Sequence, residues 1–262
     1  QISLSELHPF PDHPFQVRED ASMQETAESV KEYGVLVPAL ARPREDGGYE
    51  LIAGHRRKHA CELAGLATMP VIVRDIDRDA ATIIMVDSNL QRENILPSER
   101  AKAYKMKMEA IKRQGARTDL TSPKISAKFR SDDEVGQDAG VSGDTIRNYI
   151  ALTQLVPELQ QMVDEKKIAL SPAYQLAALT PKEQALLLET IDSEQATPSL
   201  SQAQRMKKLS QSGELNEDTM LSIMMEQKKP EKNDITLSGE KLRKYFPRSY
   251  TPFQIENTIF KL

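Results

Sequence analysis

Two spacings of apolar residues divide the first ninety positions into short strands and helices. Residues 22–33 repeat at helical spacing, with Ser22 as the expected N-cap and Glu25 completing a capping box. Residues 49–53 instead show the pattern of a short strand that follows the Gly47-Gly48 turn. We predict further strands over 35–41 and 69–75, and further helices over 54–63 and 79–90. The segment therefore has the order of a compact α/β unit.

From Pro97 onward the apolar spacing is helical. The stripe of apolar residues in the first helix predicts a buried side, with the lysines between them on the solvated face; its members are Ala101, Tyr104, Met108 and Ile111. The fold class is therefore α+β, with an α/β domain over 1–96, an all-helical domain over 97–200 and a C-terminal helical segment over 201–262. We expect that last segment to serve self-association and to be truncated at Leu262, where the pattern is still apolar.

Residues 132–151 match the spacing of a helix-turn-helix. Gly136 occupies the position where the two helices touch, Gly140 the turn, and Val141 the buried position after it. Ser142 is the expected N-cap, which makes 143–150 the recognition helix, pinned by Ile146 and Tyr149. The residues predicted to face DNA are Ser142, Gly143, Asp144, Thr145, Arg147 and Asn148.

A simpler interpretation of this unit is two packed helices with no nucleic-acid role. Acidic residues crowd the first helix, and phosphate would repel them. Arg147 and Asn148, however, are the residue types best suited to guanine and adenine edges, and the glycine and apolar positions all match. We therefore favour DNA binding.

Composition and charge exclude several classes of protein. No apolar run reaches the roughly 18 residues that a membrane span needs, and the single Cys61 excludes an internal disulfide framework and suits a reducing compartment. The net charge is −4, but residues 97–130 carry 10 basic and 3 acidic side chains. This local excess suits contact with nucleic acid, and it equally suits a solvated helix face.

Gly54 ends a predicted strand and opens a helix whose first turn contains Arg56 and Arg57. Free backbone N–H groups and the helix dipole favour an anion at such a position, and guanidinium groups pair with phosphate as a fork. A solvated basic helix start is the simpler interpretation of the same residues. His55 and His59 lie four residues apart, but they lack the glutamate of a zinc-protease motif.

The order of these motifs resembles the ParB family of DNA-partition proteins over residues 1 to 190. Gly54-His55-Arg56-Arg57 resembles that family's Gly-Glu-Arg-Arg motif, and Ser88-Asn89-Leu90-Gln91-Arg92 resembles its Glu-Asn-x-x-Arg motif. Gln16-Val17-Arg18 stands where a Gln-Pro-Arg is usual, and residues 34–38 resemble the family's glycine, apolar, proline stretch near the nucleotide base.

The resemblance implies a CTP site with Mg²⁺ and a dimeric DNA clamp that acts in plasmid or chromosome segregation. The implied CTP-binding residues are Gln16, Arg18, Gly34, Gly54, His55, Arg56, Arg57, Asn89 and Arg92, and Asn89 would also assist the metal. The implied partners are a palindromic parS-like DNA site, a second copy of the chain, and a ParA-type ATPase that contacts residues upstream of Gln1. The protein would be cytoplasmic and associated with the nucleoid.

Two positions depart from the family motifs. His55 replaces the glutamate of the first motif, and Ser88 replaces the glutamate that begins the second. Phosphoryl transfer needs groups that hold the metal and orient the attacking water, so we expect CTP binding with slow or absent hydrolysis. Asp87 and Glu93 are nearby carboxylates available as substitutes.

Three other functions share parts of this pattern. A ParB-like regulator of transcription or nucleoid occlusion would keep the DNA-binding scaffold, and a neighbouring ParA gene would favour partition instead. The α/β domain also resembles sulfiredoxin, whose activity needs a cysteine where Gly54 stands, while Cys61 lies two turns further on. A ParB-like nuclease would need clustered carboxylates for two metals, and no such cluster is visible along the chain.

Overall fold

A computed structural model describes residues 1–92, 94–118, 135–137, 139–226, 245–246, 250–251, 254 and 258. Residues 1–225 form one compact unit, and residues 226–262 form a second. The end of the predicted C-terminal helical segment, from residue 227 on, lies almost entirely outside the described residues. The predicted α+β order is confirmed, since strands and helices come first and helices alone follow.

Six short strands build the N-terminal part: β1 Ile2–Ser3, β2 Leu7–Pro9, β3 Ala39–Pro43, β4 Tyr49–Ala53, β5 Thr68–Met69 and β6 Val71–Val73. The main sheet has the order β2-β4-β3-β6, and β1 pairs with β5 separately. β4 is parallel to β2 and antiparallel to β3, and β3 is parallel to β6. The strand predicted from residue 35 begins only at Ala39, after Pro38, which cannot donate a ladder hydrogen bond.

Helices cover both faces of this sheet. α1 Ala21–Tyr33 and α2 His55–Leu63 pack on one face, and α3 Arg78–Leu90 packs on the other. Leu51 and Ile52 are neighbours on β4, both are fully buried, and they belong to the two separate hydrophobic clusters. Successive strand residues point to opposite faces, so the central strand needs apolar residues at consecutive positions.

The start of α1 differs from the prediction. Asp20 is the N-cap, because its Oδ1 accepts the backbone N–H of Met23 at 2.9 Å. Ser22 lies inside the first turn instead, where its hydroxyl accepts a hydrogen bond from Arg56. Aspartate caps a helix as well as serine does, and the shift leaves the Ser22 hydroxyl available to α2.

Helix α4, Pro97–Thr118, packs against both parts of the unit. Ala101 belongs to the core of the helical part, Ala103 to the core beneath the sheet, and Tyr104 to the helix-turn-helix core. The predicted solvated face is wrong at Lys107, which is 1% exposed and whose Nζ lies 2.7 Å from Asp87 Oδ1. A helix that is covered on two sides buries a second row of side chains, and the spacing of the apolar residues alone does not reveal that row.

The helical part continues with α5 Gly143–Ala151, α6 Pro157–Asp164, α7 Leu170–Leu176, α8 Pro181–Glu194, α9 Leu200–Ser212 and α10 Glu217–Met225. Helices α6 to α10 share one hydrophobic core. Residues beyond position 200 also contribute to that core, because Ala203, Met206 and Met220 are buried in it. Across the described residues, no helix has both the length and the apolar character that a membrane span requires.

Candidate functional site

The end of β4 and the start of α2 are joined by Gly54 alone. Gly54 has a φ of 111°, and a Cβ at this position would lie 2.8 Å from the Cβ of Ala39. Glycine suits both the left-handed conformation and the close approach of β3. This glycine places the first turn of α2 at the C-terminal end of β4, where His55, Arg56 and Arg57 each line a different cavity.

Arg56 projects into a cavity of about 430 Å³ that it shares with Arg18 and Arg92, and we call this cavity the arginine cleft. It is bordered by the N-terminal arm (residues 10–19, between β2 and the N-cap of α1), the first turns of α1 and α2, and the junction between α3 and α4. Its lining residues are Phe15, Gln16, Arg18, Asp20, Ser22, Arg56, Arg92, Asn94, Ile95 and Glu99. Four predicted site residues, from three separate parts of the sequence, therefore meet here.

The arginine cleft is lined by three arginines and by two carboxylates, Asp20 and Glu99, so positive charge is in excess by one. Burial and the charge of Arg56 lower the pKa of Arg92, so these two cations are close enough to repel each other. Arg56 donates to Ser22 Oγ at 3.2 Å and lies 3.8 Å from Asp20 Oδ1. Repulsion between guanidinium groups is relieved by an anion of several charges, which makes a polyphosphate a well-matched ligand.

Glu99 is a residue of this cleft that the sequence analysis missed. Its Oε1 accepts the backbone N–H of Gln16 at 3.1 Å, and its Oε2 accepts that of Leu96 at 3.1 Å. The buried carboxylate thus ties the N-terminal arm to the first turn of α4. The position was detectable in sequence, because a glutamate two residues after Pro97 stands where a capping box places its acidic member.

Arg57 lies outside the arginine cleft and lines a second cavity of about 410 Å³, the loop cleft. Its Nη1 donates to the carbonyl oxygens of Val37 at 2.5 Å and Pro38 at 2.7 Å. Desolvation lowers the pKa of Arg57. Ser22 borders both clefts, so they adjoin at the first turn of α1. The residues of the loop cleft are Ser22, Glu25, Thr26, Ser29, Val30, Gly34, Val35, Leu36, Val37 and Arg57.

His55 turns to a third side of α2 and lines neither cleft. Its ring packs on that of His13 with 3.9 Å between the ring centroids, and the Nε2 atoms of both rings are buried without a hydrogen-bond partner. Burial, followed by the charges of His13, Arg92 and Lys58, lowers the pKa of His55 to about 3. Burial likewise lowers the pKa of His13. His55 contacts the arm in this structure, and its part in nucleotide binding stays a prediction.

The side chains of Ser88 and Asn89 both form hydrogen bonds within their own helix, α3. Asn89 is buried, and its Nδ2 donates to the carbonyl oxygen of Met85 at 2.8 Å, while Ser88 Oγ donates to the same oxygen at 2.9 Å. Among the described residues, no group of three His, Cys, Asp or Glu could hold a metal ion. Mg²⁺ is usually held by one or two carboxylates together with substrate phosphates. The described residues would therefore hold Mg²⁺ only when the oxygens of a bound polyphosphate complete its coordination. The role of Asn89 stays a prediction.

Helix α5 is the second helix of the predicted helix-turn-helix. The N-cap prediction is confirmed, since Ser142 Oγ accepts the backbone N–H of Thr145 at 3.2 Å. A Cβ on Gly136 would lie 2.6 Å from the carbonyl oxygen of Val141, so the close contact requires glycine. The prediction that Val141 is buried is wrong: its side chain is 36% exposed, because its backbone rather than its side chain faces Gly136.

The predicted DNA-facing side chains lie mostly on the exposed side of α5. Ile146 is buried in one cluster with Tyr104, and this packing turns Asp144, Arg147 and Asn148 to the surface. Gly143 is buried at the start of the helix, and Asp144 forms an ion pair with Arg147 one turn further on. Residues 119–130 of the predicted basic segment lie outside the described part of the chain, and so do the first helix's acidic residues at 132–134 and 138.

Sequence profiles of two protein domains match this chain. The profile of the ParB N-terminal domain matches residues 1–90, and that of the ParB HTH domain matches residues 124–211. The chain belongs to the ParB family. The first match contains the sheet, the arm and α2, and the second contains α5 and most of the helical core.

Two curated relatives of this ParB-family chain are named as chromosome-partitioning proteins. Spo0J of Thermus thermophilus is 33% identical over 192 residues, which cover 73% of this chain and 64% of the relative. The probable chromosome 1-partitioning protein ParB of Deinococcus radiodurans is 39% identical over 171 residues, which cover 65% of this chain and 52% of the relative. The chain thus spans between half and two thirds of the length of these relatives.

One solved structure that matches is the C-terminally truncated chromosome-partitioning protein ParB from Caulobacter crescentus, complexed to the centromeric parS site. It is 25% identical in sequence to this chain and superposes with a TM-score of 0.48. The match covers 79% of this chain and 97% of that one.

Proposed function

We propose that this ParB-family protein binds a specific double-stranded DNA site, binds CTP, and acts as a DNA clamp in the partition of a chromosome or plasmid. The arginine cleft is the observation that carries the proposal. Three guanidinium groups from distant parts of the chain meet there, in the same compact unit as the helix-turn-helix.

The two adjoining clefts suit the two ends of a nucleoside triphosphate. The arginine cleft offers cations and the N-terminus of α2 to phosphates, since both stabilise negative charge. The loop cleft combines apolar Val30 and Val35 with polar Ser29 and Thr26, as a site for a planar base requires. The choice of CTP among the triphosphates rests on the resemblance of residues 34–38 to the family stretch near the base.

Mg²⁺ is proposed to enter together with the triphosphate, where it would neutralise phosphate charge. Asn89 is the proposed protein ligand through its Oδ1, while its Nδ2 donates to the carbonyl oxygen of Met85. His55 and Ser88 stand at the two positions where the family motifs have glutamates. We therefore propose that CTP is bound more effectively than it is hydrolysed.

Helix α5 is proposed to enter the major groove with its N-terminus foremost, so that Arg147 and Asn148 meet base edges. Helix α4 links this site to the nucleotide site, because Tyr104 packs with Ile146 while Ala103 packs beneath the sheet. A palindromic site pairs naturally with a two-fold dimer, so a second copy of the chain is the proposed partner on DNA. A ParA-type ATPase is the proposed protein partner.

Calorimetry with each of the four ribonucleoside triphosphates, with and without DNA from the native locus, tests the nucleotide proposal. We expect CTP to bind, and we expect Arg56→Ala to lose CTP binding while it keeps DNA binding and its unfolding midpoint. Arg44→Ala is the matched control, because Arg44 lies in the β3–β4 turn and lines neither cleft. Equal loss in the two variants, or no nucleotide binding by the wild type, would contradict the proposal.

Binding to cognate and unrelated duplexes tests the DNA proposal. Arg147→Ala should lower affinity for the cognate site by about 1–3 kcal/mol and leave affinity for unrelated DNA almost unchanged. Lys182→Ala, at the start of α8, serves as the control for a lost surface charge. An equal loss on both duplexes would show that Arg147 contacts phosphate rather than a base.

A further inference from the structure

Arg56 and Arg57 are adjacent and chemically identical, yet they line different clefts. Arg56 donates to Ser22 Oγ in the arginine cleft, whereas Arg57 donates to the carbonyl oxygens of Val37 and Pro38 in the loop cleft. Consecutive residues of an α-helix are about 100° apart around its axis, so the side chains of neighbouring residues on α2 point in different directions. The two arginines of one motif therefore have different contacts.

In the loop from Gly34 to Pro38, Val35 packs against the hydrophobic core, but residues 36–38 are exposed and receive little support from their own side chains. Leu36 is 79% exposed and Val37 is 64% exposed, and Gly34 has a positive φ of 69°. The two hydrogen bonds from Arg57 hold the carbonyl groups that immediately precede β3. A charged donor makes such bonds stronger than neutral ones, so Arg57 anchors a segment that packing leaves weakly held.

We infer that Arg57 is a positioning residue for nucleobase selectivity, while Arg56 acts on the phosphates. The inference rests on the proposed nucleotide site. Cytosine presents an amino donor where uracil presents a carbonyl acceptor, and a base in the loop cleft would face the backbone groups of residues 34–38. A loop whose carbonyl groups are held in place leaves the wrong base with an unpaired polar group. A loop released from Arg57 adapts to either base.

The same substitution at the two adjacent positions separates the two roles. Arg57→Lys and Arg56→Lys both keep the positive charge but replace the guanidinium fork with a shorter point charge. Calorimetry on the full chain measures the affinities for CTP, UTP and CDP. The ratio of the CTP affinity to the UTP affinity reports base selectivity, and the ratio of the CTP affinity to the CDP affinity reports contact with the terminal phosphate.

We expect Arg57→Lys to lower the CTP-over-UTP ratio by about tenfold, the effect of one lost hydrogen bond to a charged group. Its CTP-over-CDP ratio should stay at the wild-type value. Arg56→Lys should show the opposite pattern, with a lower CTP-over-CDP ratio and an unchanged CTP-over-UTP ratio. A merely structural loss at position 57 would lower the affinity for all three nucleotides alike and leave both ratios unchanged.

Hydrogen exchange of the nucleotide-free protein provides a second measurement. The backbone N–H groups of Gly34 and Ala39 flank the loop and donate to the carbonyl oxygens of Val30 and Pro70. These two amide protons should exchange faster in Arg57→Lys than in the wild type, because the loop loses its anchor, and they should be unaffected by Arg56→Lys. This comparison needs no ligand, so it tests the anchoring role separately from nucleotide binding.

The outcomes separate this inference from the proposed function. An unchanged CTP-over-UTP ratio in Arg57→Lys overturns the inference, and so does unchanged exchange of the Gly34 and Ala39 amide protons. A lower CTP-over-CDP ratio in Arg57→Lys also overturns it, because that result assigns Arg57 to the phosphates. If the wild type binds none of the three nucleotides, the proposed function fails and the selectivity role fails with it, while the exchange experiment still decides whether Arg57 anchors the loop.

Discussion

The contact between His55 and His13 predicts a specific sensitivity to acid. The His55 ring is buried against the His13 ring, with the charges of Arg92 and Lys58 nearby, and these surroundings lower its pKa from 6.5 to about 3. The unfolded chain takes up a proton at this histidine as pH falls below 6.5, while the folded protein does not until about pH 3. The contribution of the neutral His55 to the free energy of unfolding is therefore fully present above pH 6.5, and it is lost progressively as pH falls toward 3.

Between pH 7 and pH 5, the free energy of unfolding falls by about 2 kcal/mol because of His55. This figure comes from the difference in protons bound by the folded and unfolded states over that interval. This magnitude depends mainly on the ordinary pKa of the unfolded chain. At pH 5 the folded imidazole is almost wholly neutral for any pKa below about 4, so a different depressed value leaves the result nearly unchanged.

Urea unfolding at pH 7 and pH 5 measures this effect in the wild type and in His55→Gln. The variant should lose about 2 kcal/mol less stability than the wild type over the interval, and the loss that remains should include the part due to His13, whose pKa burial also lowers. His59→Gln, one turn further along α2, is the control for the loss of a histidine from the same helix, since it leaves the contact between His13 and His55 in place. NMR titration of the histidine rings gives the pKa directly. An equal loss in His55→Gln and the wild type, or a His55 ring that titrates near pH 6.5, would refute the reasoning.

Three further predictions concern other parts of the protein. Gly54→Ala should lower the free energy of unfolding by about 2–3 kcal/mol, because the position combines a positive φ with a close approach to β3. Gly47→Ala, where φ is also positive but space is open, should cost about 1 kcal/mol, and equal losses in urea unfolding would contradict the close contact. Asp144→Asn should raise DNA affinity about two- to fivefold, because it removes the negative charge that pairs with Arg147 and that the proposed docking of α5 would bring near phosphate. Fluorescence anisotropy at two salt concentrations measures that gain, and a loss of affinity would indicate that Asp144 contacts a base. Radiolabelled CTP should be hydrolysed slowly or not at all, and repeated turnover in the presence of cognate DNA would show that other groups replace the two missing glutamates.

The sequence by itself determined the features that depend on a few neighbouring residues. Gly54 joins a strand to a helix, Gly140 has the positive φ of a turn, and Ser142 caps α5, as their conformational preferences predict. The start of α1 marks the limit of such reasoning, since Asp20 and Ser22 are both good caps two residues apart and the local pattern does not choose between them.

The tertiary structure decided the side-chain contacts that no local pattern shows. Spacing along the chain contains no information about the distance between Arg18, Arg56 and Arg92, so before the structure only the resemblance to a known family grouped them. No local sequence pattern indicates the separate contacts of Arg57 or the burial of Lys107, because each depends on the helices and strands that surround one helix. Backbone conformation follows from the bonds around a residue, whereas the contacts of a side chain follow from how elements remote in sequence pack together.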